Sequence, residues 1–411
     1  MSTIVSPLAP KTMPAFVPLD GVRLGAVNAG IRYKTGRTDL MAAVLDAGTE
    51  IAGVFTRSKT PGAPIVWCRS ILPHGKARAI VVNAGNANVF TGRAGHKVVE
   101  DTAAAVASIL KCKAEEVYVS STGVIGELPP GEKITTALPG LLGQVSADGW
   151  EHAARAIMTT DTFPKWTSRQ ATIGGKTVTI QGFCKGSGMI APDMATMLCY
   201  VFTDAALPAA VLQTLLTNAT DKSFNAITVD SDTSTSDTIL LAATGKAGNA
   251  AVTNATDPAL RGFRKALDSL LLDLAHLVVR DGEGAEKFVE IRVKGAKTAK
   301  AARRIGLSIG NSPLVKTALA AGDANWGRIV AAIGKSGEVV DRDTLSIAVG
   351  GITIAHEGGA VPGYDETPVS AHMAGQNIVI DVDIGLGSGK STIWTCDLTH
   401  RYIDINGSYR S

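Results

Sequence analysis

Short apolar runs and amphipathic helical stretches alternate along both halves of this 411-residue chain. The run ARAIVVNAG (77–85) is apolar and ends in turn residues, which is typical of a strand. The following HKVVEDTAAAVASILKCK places Val99, Ala103 and Val106 on one face of a helix. The second half repeats the alternation in TMLCYVFT, PAAVLQTLLTNATDKSF and DTILLAAT. This pattern predicts a mixed α/β (α+β) fold in which helices cover sheets.

The composition indicates a globular protein of two domains or two large lobes. Hydrophobic residues make up 45% and charged residues 19% of the chain. The net charge of +3 gives no electrostatic reason to expect nucleic acid or a membrane surface as a partner. The N-terminus lacks the pattern of a signal or transit peptide, and no run of about 18 apolar residues occurs. We therefore expect a cytoplasmic protein without membrane or nucleic-acid partners.

The five cysteines and seven histidines are scattered, and no CxxC motif occurs. This pattern argues against a disulfide framework and a structural zinc site, and it favours a reducing compartment. We expect no metal site built from the histidines. Cys184 and Cys199 flank a central glycine-rich segment, so either is a candidate nucleophile, although no histidine is near in sequence.

The C-terminal part of the chain is rich in strand-like patterns, and we predict strands there, including RYIDING (401–407). The segment GLGSGKST (385–392) resembles a phosphate-binding loop, but Ile384 stands where that motif needs its first glycine. Because GLGSGKST joins two strand-like runs, we interpret it as a hairpin turn.

Four loops carry polar or glycine-rich patterns that suit a functional site. NAGNANVFTG (83–92) and STGVIG (121–126) each follow a strand, and their small residues could form an anion nest or be ordinary glycine turns. MTTDT (158–162) ends a helix with hydroxyl and carboxyl groups that fit capping or a site. RDGEGA (280–285) holds Glu283 between two glycines, and a simple helix C-cap explains the glycines but not the acid.

The central stretch CKGSGMIAPDMATMLCYVFTD (184–204) brings a glycine-rich turn with Lys185 to a threonine at the start of a strand. A threonine hydroxyl is a weak nucleophile without a base. Cleavage between Ala195 and Thr196 would place a free α-amine beside the hydroxyl, and this amine can act as a base near neutral pH. The alternative from spacing alone is a core strand that begins with a β-branched residue.

The combination of motifs resembles the ornithine acetyltransferase family, the bifunctional glutamate N-acetyltransferases of arginine biosynthesis. The similarity includes KGSGMIAPDMATML and continues in order through VVNAGNANVFTG, SSTGVIGELPP, IMTTDTFPK, SFNAITVDSDTSTSDT, VVRDGEGAEKFVEI, NSPLVKTALAAGDANWGRI and YIDINGSYRS. It thus spans nearly the whole chain. One departure is Ala324 in GDANWGR, where the family pattern has proline, and it lies far in sequence from the proposed nucleophile.

The resemblance implies a layered αββα fold, similar to that of the N-terminal nucleophile hydrolases but with different connectivity. It also implies self-cleavage between Ala195 and Thr196 into an α chain of residues 1–195 and a β chain of residues 196–411. The two chains would remain together, and the family usually forms a heterotetramer of two α and two β chains.

The resemblance further implies a ping-pong transfer of the acetyl group from N2-acetyl-L-ornithine to L-glutamate. Thr196 would be the nucleophile, and Thr122 and Gly123 would stabilise the oxyanion. The substrate site would contain Thr159, Lys185, Thr196, Glu283, Asn406 and Ser411. Lys185 suits a substrate carboxylate and Glu283 suits the ornithine ammonium group. No metal or prosthetic group is implied, and acetyl-CoA is a second acetyl donor in bifunctional members.

Two other functions remain open at this point. An amide hydrolase of the N-terminal-nucleophile class would use the same acylation step and then pass the acyl group to water. A binding protein with the same fold would form no acyl adduct. The full-length resemblance and the charged pair Lys185 and Glu283 favour transfer between amino acids.

Overall fold

A computed structural model describes residues 4–32, 36–191 and 197–407 of the chain. The first part contains the strands and helices β1 (Val22–Val27), β2 (Leu40–Leu45), β3 (Glu50–Phe55), α1 (Ala63–Ile71), β4 (Ala79–Asn86), α2 (Gly92–Leu110), β5 (Val117–Val124), α3 (Gly131–Gly143), α4 (Trp150–Ala156), β6 (Lys165–Ile173) and β7 (Lys176–Lys185). The second part contains β8 (Leu198–Thr203), α5 (Ala209–Lys222), β9 (Thr238–Ala243), α6 (Arg261–Arg280), β10 (Phe288–Ala296), α7 (Ala299–Gly310), α8 (Pro313–Ala320), α9 (Trp326–Gly334), β11 (Ser346–Val349), β12 (Ile352–His356), β13 (Gly359–Ala360), α10 (Glu366–Met373), β14 (Asn377–Asp383), β15 (Gly389–Cys396) and α11 (His400–Gly407). Short 3-10 turns lie at Leu72–His74, Ala114–Glu116, Phe224–Ala226 and Pro258–Leu260.

Two sheets stack face to face between two helical layers. One sheet has the order β1-β2-β4-β5 and the other has the order β3-β9-β8-β7-β6. Alternate residues of their strands meet in one apolar core, which includes Met41, Ile80, Tyr200 and Phe202. The outer face of the first sheet packs against α2 and α3, and that of the second packs against α5 and α6. This arrangement confirms the expected αββα layers.

A separate lobe follows the sandwich in sequence. Its sheet has the order β13-β12-β11-β14-β10-β15, and its core is formed with residues of α7 to α10. Helix α7 begins at Thr298, whose hydroxyl accepts the amide of Ala301 at 3.0 Å. The lobe extends from β10 to β15, and α11 then returns the chain toward the sandwich, where Asn406 contacts Glu283.

Most of the predicted strands and helices are present, but two sequence predictions in the C-terminal part are wrong. RYIDING forms helix α11 instead of a strand. Within this helix the Asn406 side-chain amide donates to the carbonyl of Tyr402, which lies one helical turn earlier. GLGSGKST is not a hairpin turn, because β10 lies between β14 and β15 and pairs with both of them. It joins β14 to β15, whereas a phosphate loop joins a strand to a helix.

The second sheet of the sandwich combines strands from both sides of the proposed cleavage site. Antiparallel pairing joins β7, which ends at Lys185, to β8, which begins at Leu198. Ala195 and Thr196 themselves lie outside the described residues. Within the described part of the chain, the helices are too short or too polar to cross a membrane.

Candidate active site

A cavity of about 500 Å³ opens at the ends of the sandwich strands. Its volume is within the usual range for a small-molecule site. Loops that follow β4, β5, β7 and α6 contribute to it, as do the segment before β9 and helix α11. Its lining includes Thr122, Gly123, Thr159, Thr160, Lys185, Gly188, Ser234, Thr235, Ser236, Glu283 and Asn406.

The wall made by Thr122 and Gly123 depends on a close approach between β4 and β5. Gly123 has a φ of +132°, and a Cβ there would lie 2.2 Å from the carbonyl carbon of Gly85. A larger residue is therefore excluded at position 123. The tight junction leaves the Thr122 hydroxyl and the Gly123 backbone at the cavity surface, which is the arrangement that an oxyanion site needs.

Lys185 is the cationic group of the cavity. It ends β7, is 3% exposed, and donates from Nζ to the Thr122 hydroxyl oxygen at 3.1 Å. Burial lowers the pKa of Lys185, and the charge of Asp161 opposes this effect. Because its hydroxyl oxygen accepts from Lys185, Thr122 can turn its own proton toward a ligand.

Glu283 is the anionic group of the cavity and lies between the Gly188 backbone and helix α11. Its Oε2 accepts from Asn406 Nδ2 at 2.7 Å, and its amide donates to the Ser187 carbonyl at 3.0 Å. A Cβ on Gly188 would lie 2.4 Å from the Glu283 carboxyl carbon, so a larger residue there would displace the Glu283 carboxylate. Burial raises the pKa of Glu283, although its hydrogen bond from Asn406 opposes the rise.

Among the described residues that line the cavity, Lys185 is the one cation and Glu283 is the one carboxylate, and burial disfavours the charged form of both. A ligand that presents a carboxylate to Lys185 and an ammonium group to Glu283 would stabilise both charges. This arrangement suits an amino acid or an acylated amino acid better than an apolar or a polyanionic ligand.

A buried charge network supports the cavity from behind. Lys165 Nζ lies 2.6 Å from Asp161 Oδ1 and 2.6 Å from Asp281 Oδ2, and none of the three side chains has exposed surface. Burial alone would raise the pKa of Asp161, but the charges of Lys165 and Lys185 hold it below its usual value. Asp161 also accepts the Gly186 amide at 2.7 Å and the Thr159 amide at 3.0 Å. One carboxylate thus holds the backbone of the two segments that contribute Thr159 and Lys185 to the cavity.

Sequence reasoning did not identify this network or its members Asp161, Lys165 and Asp281. The available signals were the acids inside MTTDT and RDGEGA and the lysine four residues after Asp161. Nothing in the sequence pairs Lys165 with Asp281, because the two residues are 116 positions apart. The hydroxyl groups of Ser234, Thr235 and Ser236 were also missed, although the segment that contains them stands out for its composition.

The NAGNANVFTG loop contributes mainly support to the cavity. Asn83 accepts the Ser121 hydroxyl at 2.5 Å and donates to the Asn86 carbonyl at 2.9 Å. Asn86 in turn donates to the carbonyl of Glu127 at 2.9 Å. These amide groups hold the STGVIG loop in place, while Ala87 alone among residues 83–92 lines the cavity.

Six of the predicted site residues meet at this cavity, namely Thr122, Gly123, Thr159, Lys185, Glu283 and Asn406. Ala195, Thr196 and Ser411 lie outside the described residues.

The cysteines that flank the central segment do not line the cavity. Cys184 and Cys199 are buried partners across β7 and β8, and burial raises the pKa of Cys184 to about 12. A thiol with so high a pKa is a poor nucleophile. Within residues 4–32, 36–191 and 197–407, no three side chains of the metal-binding types His, Cys, Asp and Glu form a metal-ligand group.

Residues 23–411 match the model of the ArgJ family. A Gluconobacter oxydans protein named arginine biosynthesis bifunctional protein ArgJ is 60% identical over 407 residues, which cover 99% of this chain and 96% of that protein. The crystal structure of the Bacillus halodurans arginine biosynthesis bifunctional protein argJ is 40% identical, with a TM-score of 0.49, over 51% of this chain and 98% of that chain. Ornithine acetyltransferase from Mycobacterium tuberculosis, crystallised with ornithine, is 34% identical, with a TM-score of 0.37, over 42% and 92% of the respective chains.

Proposed function

The chain belongs to the ArgJ family and is an acetyltransferase of arginine biosynthesis, and we propose that it transfers the acetyl group of N2-acetyl-L-ornithine to L-glutamate through acetyl-Thr196. The observation that carries this proposal is that Lys185 and Glu283 line one cavity together with Thr122 and Gly123. The first pair suits the charges of an amino acid, and the second suits the oxyanion of an acyl transfer.

Chain connectivity supports Thr196 as the nucleophile. Leu198 pairs with Lys185 in the sheet, and Thr196 precedes Leu198 by two residues. Two residues of chain span at most about 7 Å, and this short connection to a strand that pairs with Lys185 supports the choice of Thr196. The thiols of Cys184 and Cys199 are excluded by their burial and raised pKa, which leaves the threonine as the better candidate.

Self-cleavage comes first in the proposed mechanism. The Thr196 hydroxyl oxygen attacks the Ala195 carbonyl carbon, the Ala195–Thr196 C–N bond breaks, and the hydroxyl proton passes to the departing nitrogen. Water then hydrolyses the resulting ester, which leaves a carboxylate on Ala195 and a free amine and hydroxyl on Thr196. The α and β chains, residues 1–195 and 196–411, stay together because β7 and β8 pair within one sheet. We further propose that two α and two β chains form a heterotetramer.

Acetyl transfer then proceeds in two halves. The α-amine of Thr196 takes the hydroxyl proton, and the oxygen attacks the acetyl carbonyl carbon of acetylornithine. Thr122 and the Gly123 amide stabilise the oxyanion, the amide C–N bond breaks, and ornithine leaves with the proton on its nitrogen. The neutral α-amine of glutamate next attacks the acetyl ester. The ester C–O bond breaks, Thr196 regains a proton from the attacking nitrogen, and N-acetylglutamate leaves.

The test combines intact mass with product analysis. We expect the purified protein to consist of two fragments that join at Ala195 and Thr196, and acetylornithine to add one acetyl group to the fragment 196–411. Glutamate should remove that group and give N-acetylglutamate. Thr196→Ala should remain one inactive chain, while Thr196→Ser should still cleave. Thr217→Ala, which removes an exposed hydroxyl on α5, is the matched control and should behave as wild type.

Three results would contradict the proposal. Ornithine release at the same rate without glutamate would favour the amide hydrolase, since water would then accept the acyl group. Absence of any acetyl adduct would favour a binding protein. Cleavage of Thr196→Ala at the same bond would exclude this hydroxyl as the nucleophile. A parallel incubation with acetyl-CoA and glutamate tests the second donor.

A further inference from the structure

The polar segment Thr228–Thr238 contacts the chain on both sides of the proposed cleavage site. It has the sequence TVDSDTSTSDT and contains three acids, Asp230, Asp232 and Asp237. Its serines and threonines 234–236 line the cavity, but the acetyl-transfer mechanism assigns nothing to its carboxyl groups. Asp230 and Asp237 stand near opposite ends of the segment, and each accepts backbone amides from the central stretch.

Asp230 holds the chain before the cleavage site. Its Oδ2 accepts the Met189 amide at 2.6 Å, and its Oδ1 accepts the Ile190 amide at 2.9 Å. The Ile190 carbonyl accepts the Val229 amide at 2.7 Å, which closes the contact from the other side. Tyr402 adds its hydroxyl to Asp230 Oδ2 at 3.3 Å. Both carboxylate oxygens of Asp230 are therefore used to hold backbone amides.

Asp237 holds the chain after the cleavage site. It has no exposed surface, and its Oδ1 accepts the Met197 amide at 2.9 Å. The Met197 carbonyl accepts the Thr238 amide at 3.1 Å. The nitrogen of Met197 is bonded to the carbonyl carbon of Thr196, so Asp237 binds the peptide group that directly follows the proposed nucleophile.

We propose that Asp230 and Asp237 are positioning residues for self-cleavage, and that segment 228–238 holds the chain on both sides of the Ala195–Thr196 bond. This inference rests on the proposed cleavage at that bond. A peptide group is planar, so fixing the Met197 amide restricts the orientation of the preceding residue. Restraint on both sides reduces the conformations that the six intervening residues 191–196 can sample before the hydroxyl attacks.

The two carboxylates accept hydrogen bonds with different numbers of oxygens. Substitution of each aspartate by asparagine therefore tests the positioning role. Asp237 accepts the Met197 amide with one oxygen, and an asparagine carbonyl can replace that oxygen. Asp230 accepts the Met189 amide with one oxygen and the Ile190 amide with the other, and an asparagine would turn its NH₂ group toward one of them. If the two carboxylates acted only through their charge, both asparagine variants would instead cleave equally slowly.

The experiment follows cleavage of newly synthesised full-length chains by pulse labelling and gel separation of the fragments. We expect Asp237→Ala and Asp230→Ala to slow cleavage by roughly 10-fold, which corresponds to the loss of a hydrogen bond worth about 1.4 kcal/mol. Asp237→Asn should cleave within about 3-fold of wild type, and Asp230→Asn should be slow. The control is Asp204→Ala, because Asp204 follows the opposite end of β8 and accepts the Thr179 amide at 2.8 Å.

Asp204→Ala should cleave at the wild-type rate although it also removes a carboxylate that holds a strand. Thermal unfolding of each variant shows whether the cleavage assay was made on folded protein. If Asp237→Ala fails to fold, the difference in cleavage rate between Asp230→Ala and Asp204→Ala tests the inference. If the wild-type chain cleaves, and the Asp230 and Asp237 variants cleave at the same rate as wild type, this inference alone is overturned. A wild-type chain that never cleaves would overturn the proposed function instead.

Discussion

The ion pairs behind the cavity of the sandwich and an ion pair of the C-terminal lobe differ in burial. Behind the cavity, Lys165 forms ion pairs with Asp161 and Asp281 that have no exposed surface. In the lobe, Arg292 pairs with Asp381 at side-chain exposures of 51% and 35%, so this pair is at the surface. A buried ion pair seldom adds net stability, because removing both charges from water is unfavourable. The buried charges behind the cavity therefore indicate positioning of the site, and the Arg292 pair of the lobe indicates an ordinary solvated surface.

The lobe does contain a buried cation, and its partners sharpen the contrast. Lys316 is 3% exposed and donates to the Thr395 hydroxyl at 3.1 Å and to the Cys396 carbonyl. Its hydrogen-bond acceptors are neutral, whereas those of Lys165 include two carboxylates. The carboxylates around Lys165 also hold the backbone of the cavity, and no cavity residue depends on Lys316 in this way.

The largest expected effect follows from breaking the buried network. Lys165→Met should lower the free energy of unfolding by about 3–5 kcal/mol, because it leaves buried carboxylates without their cation. Arg292→Met removes one partner of the exposed lobe pair and should lower it by about 1 kcal/mol or less. Urea unfolding of the two variants measures the difference. Equal losses would mean that burial does not distinguish the two regions.

The next effect concerns the carboxylate of the cavity. Glu283→Gln should lower kcat/KM for acetylornithine by roughly 10- to 100-fold, which corresponds to a charged hydrogen bond of about 1.5–3 kcal/mol. Because burial raises the pKa of Glu283, wild-type kcat/KM should fall as the pH drops through that raised value. The ionised form is present above this pKa and is lost below it.

The acid limb of the pH profile should therefore disappear in Glu283→Gln. Glu290→Gln in the lobe removes a partly exposed partner of Arg292 and is the control that should keep the wild-type profile. If kcat/KM of Glu283→Gln still falls at the same low pH, the acid limb of the profile belongs to another titrating group.

The smallest expected effect compares two glycines. Gly188→Ala would place a methyl group 2.4 Å from the Glu283 carboxyl carbon, so Glu283 must shift. We expect KM for acetylornithine to rise roughly 5-fold, in line with a cost of about 1 kcal/mol for overpacking. A Cβ on Gly334 in α9 meets no atom within 4 Å, so Gly334→Ala should leave KM unchanged. Steady-state kinetics tests the pair, and an equal KM in both variants would argue against contact between Gly188 and Glu283.

Local patterns in the sequence predicted much of the fold. The spacing of apolar residues predicted α2, and the glycines in RDGEGA fitted a helix C-cap, which is where α6 ends. The prediction failed for 401–407, where alternation of polar and apolar residues fits a strand as well as a short helix. That failure matters for the site, because a helix is what brings Asn406 to Glu283.

The sequence by itself determined much of the order of strands and helices, and its motifs placed the chain in a family whose site residues could be carried over. Six of those residues line one cavity, although they come from five separate segments. Only the tertiary structure decided how they act together. Glu283 and Asn406 are 123 residues apart in sequence, and Lys165 and Asp281 are 116 residues apart. Local patterns cannot pair such residues, because the strength of a buried charge contact depends on the low dielectric that only the packed layers create.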